Sequence, residues 1–548
     1  MIFLALALLA APGFAQPAAE RESAESLPPD CLACGVISDA ANVIQRAGEI
    51  LSALGGKPAD ASLRTGMGSL MRNPDLAGVD LSAPIRFYYM NPHVFLRPWV
   101  YQFSVTDAEA LKKAIAANSA EAQQGEVALV LNGRQATWSL DAKAAERVIQ
   151  WQKDDGKLPD FRAAGSPAVR VEGLPALRVA GQVQARLDVQ GFLRASETDF
   201  AAEVLLMKGR VREALQRVGR SGEAIEKEIS GIQAQLDSAV AALRQVRDVD
   251  CALEFDSDFV RVGLDARLGD SAPLKELFRA HAPGDLGILG LCPPEAGVVV
   301  VNNLSFLKAA SRMFLNMAGW ASPEKSEQGA GSGHRAIALF LTQPPGEPDA
   351  PAREEILDLR DGDQALKAGQ EWDRLARPAS EPAASDQAAG EPFSLHLIGD
   401  GEPAAAEMRL AEIVPNEATL QPKGLAVFRR FLGNRAQAAQ ERRGDTCVTA
   451  IGGSAADRIR QADALAEAKK GSLMDSPRFQ KSLASLPEKP NLLVYISPDA
   501  LRRWFALAGR SASEAIPANT PGLAAGLTID ANGARFVLKF PIAGVPAR

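Results

Sequence analysis

Histidine and cysteine are scarce in this chain of 548 residues, with four of the first and five of the second. His93, His281, His334 and His396 stand alone, without H-E-x-x-H or comparable ligand spacing. That leaves little material for a zinc or haem site, and no catalytic, cofactor-binding or metal-binding residue is assigned. A basic block is missing too. The 60 basic and 67 acidic residues give a net charge of −7, so the clustered cations that neutralise nucleic-acid phosphates are absent. No apolar run reaches the roughly 20 residues needed to cross a bilayer, and the mature chain is expected to have no transmembrane segment. Neither a G-x-x-x-x-G-K phosphate loop nor a G-x-S-x-G nucleophile elbow occurs. What remains is ordinary globular composition, 47% hydrophobic and 23% charged. At about 100–200 residues per domain the length implies two to four domains.

The N-terminus carries the compartment signal. Ile2 to Ala11 is an unbroken apolar run, Pro12-Gly13 breaks it, and Gly13-Phe14-Ala15 places small residues where a signal peptidase reads. Residues 1–15 are therefore expected to be a signal peptide without a basic leader, and 16–26 a polar linker. The mature protein is expected in the periplasm or outside the cell, where disulfides are permitted. Cys31, Cys34, Cys251, Cys292 and Cys447 are odd in number, so at least one stays unpaired within the chain. Cys31-Leu32-Ala33-Cys34 has redox spacing but runs into a strand, Gly35-Val36-Ile37, rather than a helix. In an extended strand these two thiols face opposite ways. Buried thiols or one plain disulfide are expected, not redox catalysis.

The informative feature is an internal repeat. Leu27-Pro28-Pro29-Asp30-Cys31 leads into a strand and helix, as does Cys292-Pro293-Pro294-Glu295 through Val298–Val301. Gly133 to Trp138 precedes a helix from Asp141 to Gln152, and Gly444 to Thr449 precedes one from Ser454 to about Lys469. Without gaps, Ala145-Glu146-Arg147 falls on Ala456-Asp457-Arg458. Val183 to Val189 matches Leu492 to Ile496, each followed by a helix. Each half then ends in alternating strands around a turn, Asp256 and Asp258 in the first and Asp530-Ala531-Asn532-Gly533 in the second.

The expected fold class is α+β: two tandem repeats, 27–282 and 284–548, meeting near His281-Ala282-Pro283-Gly284. Each is read as a largely antiparallel sheet with helices packed on one face. Repeat 1 carries a helical hairpin insert, 200–247, with apolar steps of 3 and 4 at Ile229, Ile232, Leu236, Ala239, Leu243 and Val246 and a break at Gly219 and Ser221-Gly222. Repeat 2 has long polar loops at Ser322–Gly333, Gln343–Arg353 and Arg377–Gly390.

The sequence also resembles secreted bacterial proteins of unknown function that share a duplicated L-P-x-(D/E) strand–helix module. A later stretch of that pattern has S-L, S-x-x-F, L-P and a strand with Tyr, here Ser472-Leu473, Ser476-Pro477-Arg478-Phe479, Leu486-Pro487 and Tyr495-Ile496. The second opening, Leu291-Cys292-Pro293, is less regular. The resemblance implies an extracytoplasmic α+β repeat and brings no catalytic residues.

Several local patterns invite a functional reading beside a plainer one. Gly452-Gly453-Ser454 opens a helix and offers N–H groups to an anion, or simply caps the helix. Gly331-Ser332-Gly333-His334 puts a serine near a histidine, but in a polar loop. Asp358, Asp361, Gly362 and Asp363 resemble part of a calcium loop without its closing Glu. Tyr88, Tyr89 and Tyr101 gather near Phe87, Phe95, Trp99 and Phe103. The alternation of Trp99, Tyr101 and Phe103 puts them on one sheet face, as core or as a groove. The function expected is that of an exported, non-catalytic envelope protein acting in binding or scaffolding. Its partner would be an unknown protein or an apolar ligand, not nucleic acid, and no cofactor is implied. The alternatives are a carrier of apolar ligands or lipids, and an enzyme with an interdomain site.

Overall fold

A computed structural model describes residues 27–55, 60–118, 128–154, 182–269, 274–279, 286–302, 335–342, 353–377, 393–398, 408–415, 425–426, 429, 436–507 and 520–542, apart from single positions at 29, 218, 220, 257, 485, 488 and 531. Outside them lie the expected signal and linker, the 281–284 junction with His281, the helix expected after Val301, Gly331 to His334, and nearly all of the three polar loops. The chain divides into two compact units. Unit 1 is Met1–Leu277 with Ala531–Phe536 and Val545–Arg548, and unit 2 is Phe278–Asp530 with Val537–Gly544.

Unit 1 runs β1 (Cys31–Ile37), α1 (Ala40–Gly55), α2 (Asp60–Leu70), β2 (Ile85–Met90), β3 (Trp99–Ser104), α3 (Ala108–Asn118), β4 (Ala128–Asn132), β5 (Gln135–Ser139), α4 (Ala142–Asp154), β6 (Val183–Asp188), α5 (Val189–Arg217), α6 (Gly222–Leu243), β7 (Val246–Phe255), β8 (Phe259–Leu268) and α7 (Leu274–Arg279). Its strands pair antiparallel in the order β4-β5-β3-β2-β1-β6-β7-β8. Aspartates start several helices by accepting free first-turn N–H groups. Asp39 takes Asn42 N at 2.9 Å, Asp107 takes Ala110 N at 3.0 Å, and Asp141 takes Ala144 N at 3.3 Å. The long helices α5 and α6 meet through Arg212 and Glu226 at 2.7 Å, and Ser221 caps α6.

Unit 2 opens on a 3-10 turn (Gly287–Leu291) and continues β9 (Val298–Asn302), β10 (Arg335–Thr342), β11 (Arg353–Asp361), α8 (Gly362–Leu375), β12 (Ala376–Arg377), β13 (Phe393–Leu397), β14 (Arg409–Pro415), β15 (Ala436–Arg443), β16 (Thr446–Gly452), α9 (Ala455–Ala468), α10 (Pro477–Leu483), β17 (Leu492–Ile496), α11 (Pro498–Leu507), β18 (Leu523–Asp530) and β19 (Gly533–Pro541), the last of which belongs to this unit from Val537 on. The strand order is β12-β13-β14-β15-β16-β11-β10-β9-β17-β18-β19. The short β12 pairs parallel with β13, whereas the other registered pairs are antiparallel. The protein is therefore an α+β protein built on antiparallel sheet. Among the described residues no helix is long and apolar enough to cross a membrane.

Three expectations change. Helices pack on both faces of each sheet, not on one. In unit 1, Ile85 and Phe103 lie in one core with Leu111 and Ile115 of α3, while Tyr88, Met90 and Val100 lie in another with Ala144 and Val148 of α4. Strand alternation puts those two sets on opposite faces. In unit 2, Val448 and Ala450 meet α9, and the preceding Cys447 meets Ala365 and Ala368 of α8. The sequence trace of this is the lack of alternation in β1 and β9, because strands covered on both sides read as continuous apolar runs.

Secondly, Cys31 and Cys34 do not face opposite ways. The strand begins at Cys31, and a register shift between Cys31 and Ala33 inserts one residue. The bulge turns both thiols into the same core, with Tyr88 and Met90. Both are free and buried, and burial pushes the Cys34 thiol up to about 12. Thirdly, the helical stripe of the expected insert ends before Val246, which starts β7, and α5 begins upstream of residue 200, at Val189.

Candidate functional site

The strands at the centre of unit 2 end in small and polar residues, and a cavity of about 430 Å³ opens there. Three segments build it: Pro294 to Ala296 before β9, Ser476 to Arg478 at the start of α10, and Tyr495 to Asp499 from β17 into α11. Pro477 and Pro498 begin their helices, where a missing N–H costs nothing. Ser497 caps α11 by accepting from Ala500 N at 3.2 Å.

Tyr495 lies on the β17 face that points into the main core and is 3% exposed. Its ring meets Phe479 edge-on, with centroids 4.8 Å apart and planes at 89°. On the other side the ring presses on Gly522. A Cβ there would come within 2.3 Å of Tyr495 Cε2, so only glycine leaves room. Tyr495 lines the cavity. Burial pushes its pKa up to about 12, with nearby Arg478 opposing, so at neutral pH it is a donor. Arg478 makes only a 3.9 Å approach to Asp499, too long for a hydrogen bond. The cavity's carboxylates are better occupied. Glu295 accepts from Arg458 at 2.9 Å and Gln461 at 2.7 Å, and Asp499 pairs with Arg502.

Behind the cavity an internal anion fills the Gly452-Gly453-Ser454 helix start. Glu355 of β11 is 4% exposed. Its carboxylate accepts from Ser454 N at 3.2 Å, from the Ser454 hydroxyl, and from Arg458 Nε at 2.9 Å. Gly452 adopts φ +140°, and a Cβ there would fall 2.7 Å from Glu355 Cγ. The anion-binding reading of this motif thus holds for the protein's own side chain. Arg458 also lies over the Phe340 ring, 4.1 Å from its centroid, which adds a cation–π contact.

The other sequence candidates are dispersed. Asp358 spends its carboxylate on Arg335 at 2.8 Å and Arg360 at 2.9 Å, which hold it below the usual carboxylate range despite burial. Asp361 and Asp363 lie at the end of β11 and in the first turn of α8. His93 is exposed in the β2–β3 loop and His396 lies on β13. Asp256 borders the β7–β8 turn. Of the aromatic group, Tyr88, Phe95 and Phe103 are core. Trp99 is 44% exposed and contacts Tyr89 at 4.8 Å and Tyr101 at 6.1 Å.

In the sequence, Arg478 and Tyr495 stand only as separate parts of a resemblance. Their one signal is rarity: Tyr495 is the single tyrosine of the second half. No family model, curated protein or solved structure matches the chain.

Proposed function

We propose that this is an exported, non-catalytic binding protein made of two copies of one module, in which the second copy holds the binding pocket. The observation that carries the reading is the cavity of about 430 Å³ in unit 2, which is lined by donors while its carboxylates are engaged. The size lies in the range of small-molecule sites. Carboxylates already paired with arginines make poor general bases, which favours binding over acid–base chemistry. The polar donors suit a small polar ligand better than a lipid chain.

Several parallels support the duplication. The order β4-β5-β3-β2-β1-β6-β7-β8 in unit 1 is matched by β15-β16-β11-β10-β9-β17-β18-β19 in unit 2. Asp30 pairs with Arg147 at 3.4 Å, and Glu295 with Arg458 at 2.9 Å, on the residues that align without gaps. Asp188 caps α5 through Gly191 N, as Ser497 caps α11 through Ala500 N. The pairs Cys34–Arg186 and Val299–Tyr495 then put Arg186 in the place of Tyr495. In unit 1 that position is closed, because Arg186 forms a bidentate pair with Asp250 at 2.6 and 2.7 Å. The helical pair α5–α6 is read as an insert in the first copy, since 57 residues separate β6 from β7 and 26 separate β17 from β18.

Native mass spectrometry of the full chain, recovered from an envelope fraction, tests the reading. A mature mass lacking residues 1–15, with a small molecule released on denaturation, is expected. A full-length chain confined to the cytosolic fraction and carrying nothing would overturn it.

A further inference from the structure

The geometry points to a carboxylate-binding site in the unit 2 cavity, where the Arg478 guanidinium and the Tyr495 and Ser497 hydroxyls donate to one ligand carboxylate. The inference deepens the binding reading above by naming the ligand's chemistry.

Each of the three groups is a donor. The Tyr495 ring is buried, with 3% of the residue exposed, and the residue lines the cavity. Because Tyr495 lines the cavity, its hydroxyl can donate to a group bound there. A tyrosine serving only as core would be equalled by phenylalanine. Arg478 brings a planar fork of N–H donors that matches a carboxylate, and its single ion-pair approach is 3.9 Å long. Ser497 uses its oxygen to cap Ala500 N and retains its proton to give. The first turn of α11 adds the favourable end of the helix dipole.

Glu295 and Asp499 already accept from Arg458 and Arg502, with Arg458 shared by Glu355, while Arg478 keeps N–H donors to give. Arg478 and Asp499 are 43% and 62% exposed, so breaking their long contact costs little. Pro294, Ala296, Pro477 and Pro498 supply an apolar wall, suited to a short aliphatic group behind the carboxylate.

Calorimetry and thermal shift on the full chain decide it, with butanoate and N-acetyl-alanyl-alanine as probes and the matching amides as neutral isosteres. These two arms separate a free small acid from a peptide C-terminus. At least one carboxylate should bind tenfold or more tightly than its amide, and Arg478→Gln and Tyr495→Phe should each weaken it by tenfold. Tyr495→Phe should melt near the wild-type temperature, because it removes only the hydroxyl and keeps the ring. Equal binding of acid and amide would overturn the inference. So would preferential binding of butylammonium, which would leave the binding reading standing with a ligand of opposite charge. If none of the probes binds while native mass spectrometry still detects a small molecule, the carboxylate assignment fails alone. If that molecule is missing too, both fail.

Discussion

Removing Glu355 gives the sharpest view of how unit 2 is held. Glu355→Ala withdraws a carboxylate that accepts from Ser454 N, the Ser454 hydroxyl and Arg458 Nε, all in a place that is 4% exposed. Breaking a buried ion pair costs about 3–5 kcal/mol, mainly through the charge left behind. Arg458 keeps Glu295, Gln461 and the face of Phe340, so the lower end, about 3 kcal/mol, is expected. Urea denaturation measures the loss. Hydrogen exchange should place it in β11, β16 and α9, with β1 and β6 of unit 1 unchanged. Glu355→Ala deletes a CH2–COO⁻ fragment whose free counterpart is acetate. Acetate should therefore restore stability to the variant, by about 1.4 kcal/mol at ten times its dissociation constant. Acetamide should not, and wild type should gain less. A variant within about 1 kcal/mol of wild type and indifferent to acetate would refute the reasoning.

Other outcomes follow from the same chemistry. Asp250→Ala should cost about 3–5 kcal/mol, because it removes the bidentate partner of an Arg186 side chain that is 4% exposed. The double variant Arg186→Met, Asp250→Leu should recover most of that in urea denaturation, and a double no better than the single would show that the site is not dry. Burial, and then the neighbouring Glu441 charge, raises Asp463 from 3.8 to about 6 against the pull of Arg443. The folded form thus holds a proton between about pH 4 and 6 that the unfolded chain has released, so this residue makes stability fall as pH rises through that window. Asp463→Asn should gain about 1 kcal/mol at pH 7.5, after allowance for solvent screening, and nothing at pH 4, as read by melts at both pH values. Gly452→Ala should cost about 2 kcal/mol in the same melts, through φ +140° and the approach to Glu355. Gly453→Ala, with open space at the Cβ position, should stay within about 0.5 kcal/mol.

Short-range features were legible in the sequence and long-range ones were not. Asp141 and Ser454 marked helix starts, and the β7–β8 and β18–β19 turns were readable because turn chemistry is local. The two-sided cover of the sheets was missed because an apolar run such as Val298 to Val301 carries no period that names a face. The bulge between Cys31 and Ala33 contains neither glycine nor proline, so the sequence reads as a plain strand with the thiols on opposite faces. The partner of Ser454 is 99 residues away on β11, and nothing near Gly452 says that its anion comes from the chain itself. The cavity is harder still. Arg478 comes from one segment, and Tyr495 and Ser497 from another, and only a folded chain brings the two to one cavity.

The pairing of β9 has a consequence for the order of events in synthesis. This central strand lies between β10, which follows it closely, and β17, which comes near the end of the unit: Val299 pairs with Ala338 on one side and Tyr495 on the other. Its second edge therefore waits, unpaired and aliphatic, until most of unit 2 has left the ribosome. Such late closure slows folding and exposes a sticky edge to neighbouring chains. A nascent chain stopped before Leu492 should be a client of chaperones that hold unfolded polypeptides, and one extended past Pro541 should be released.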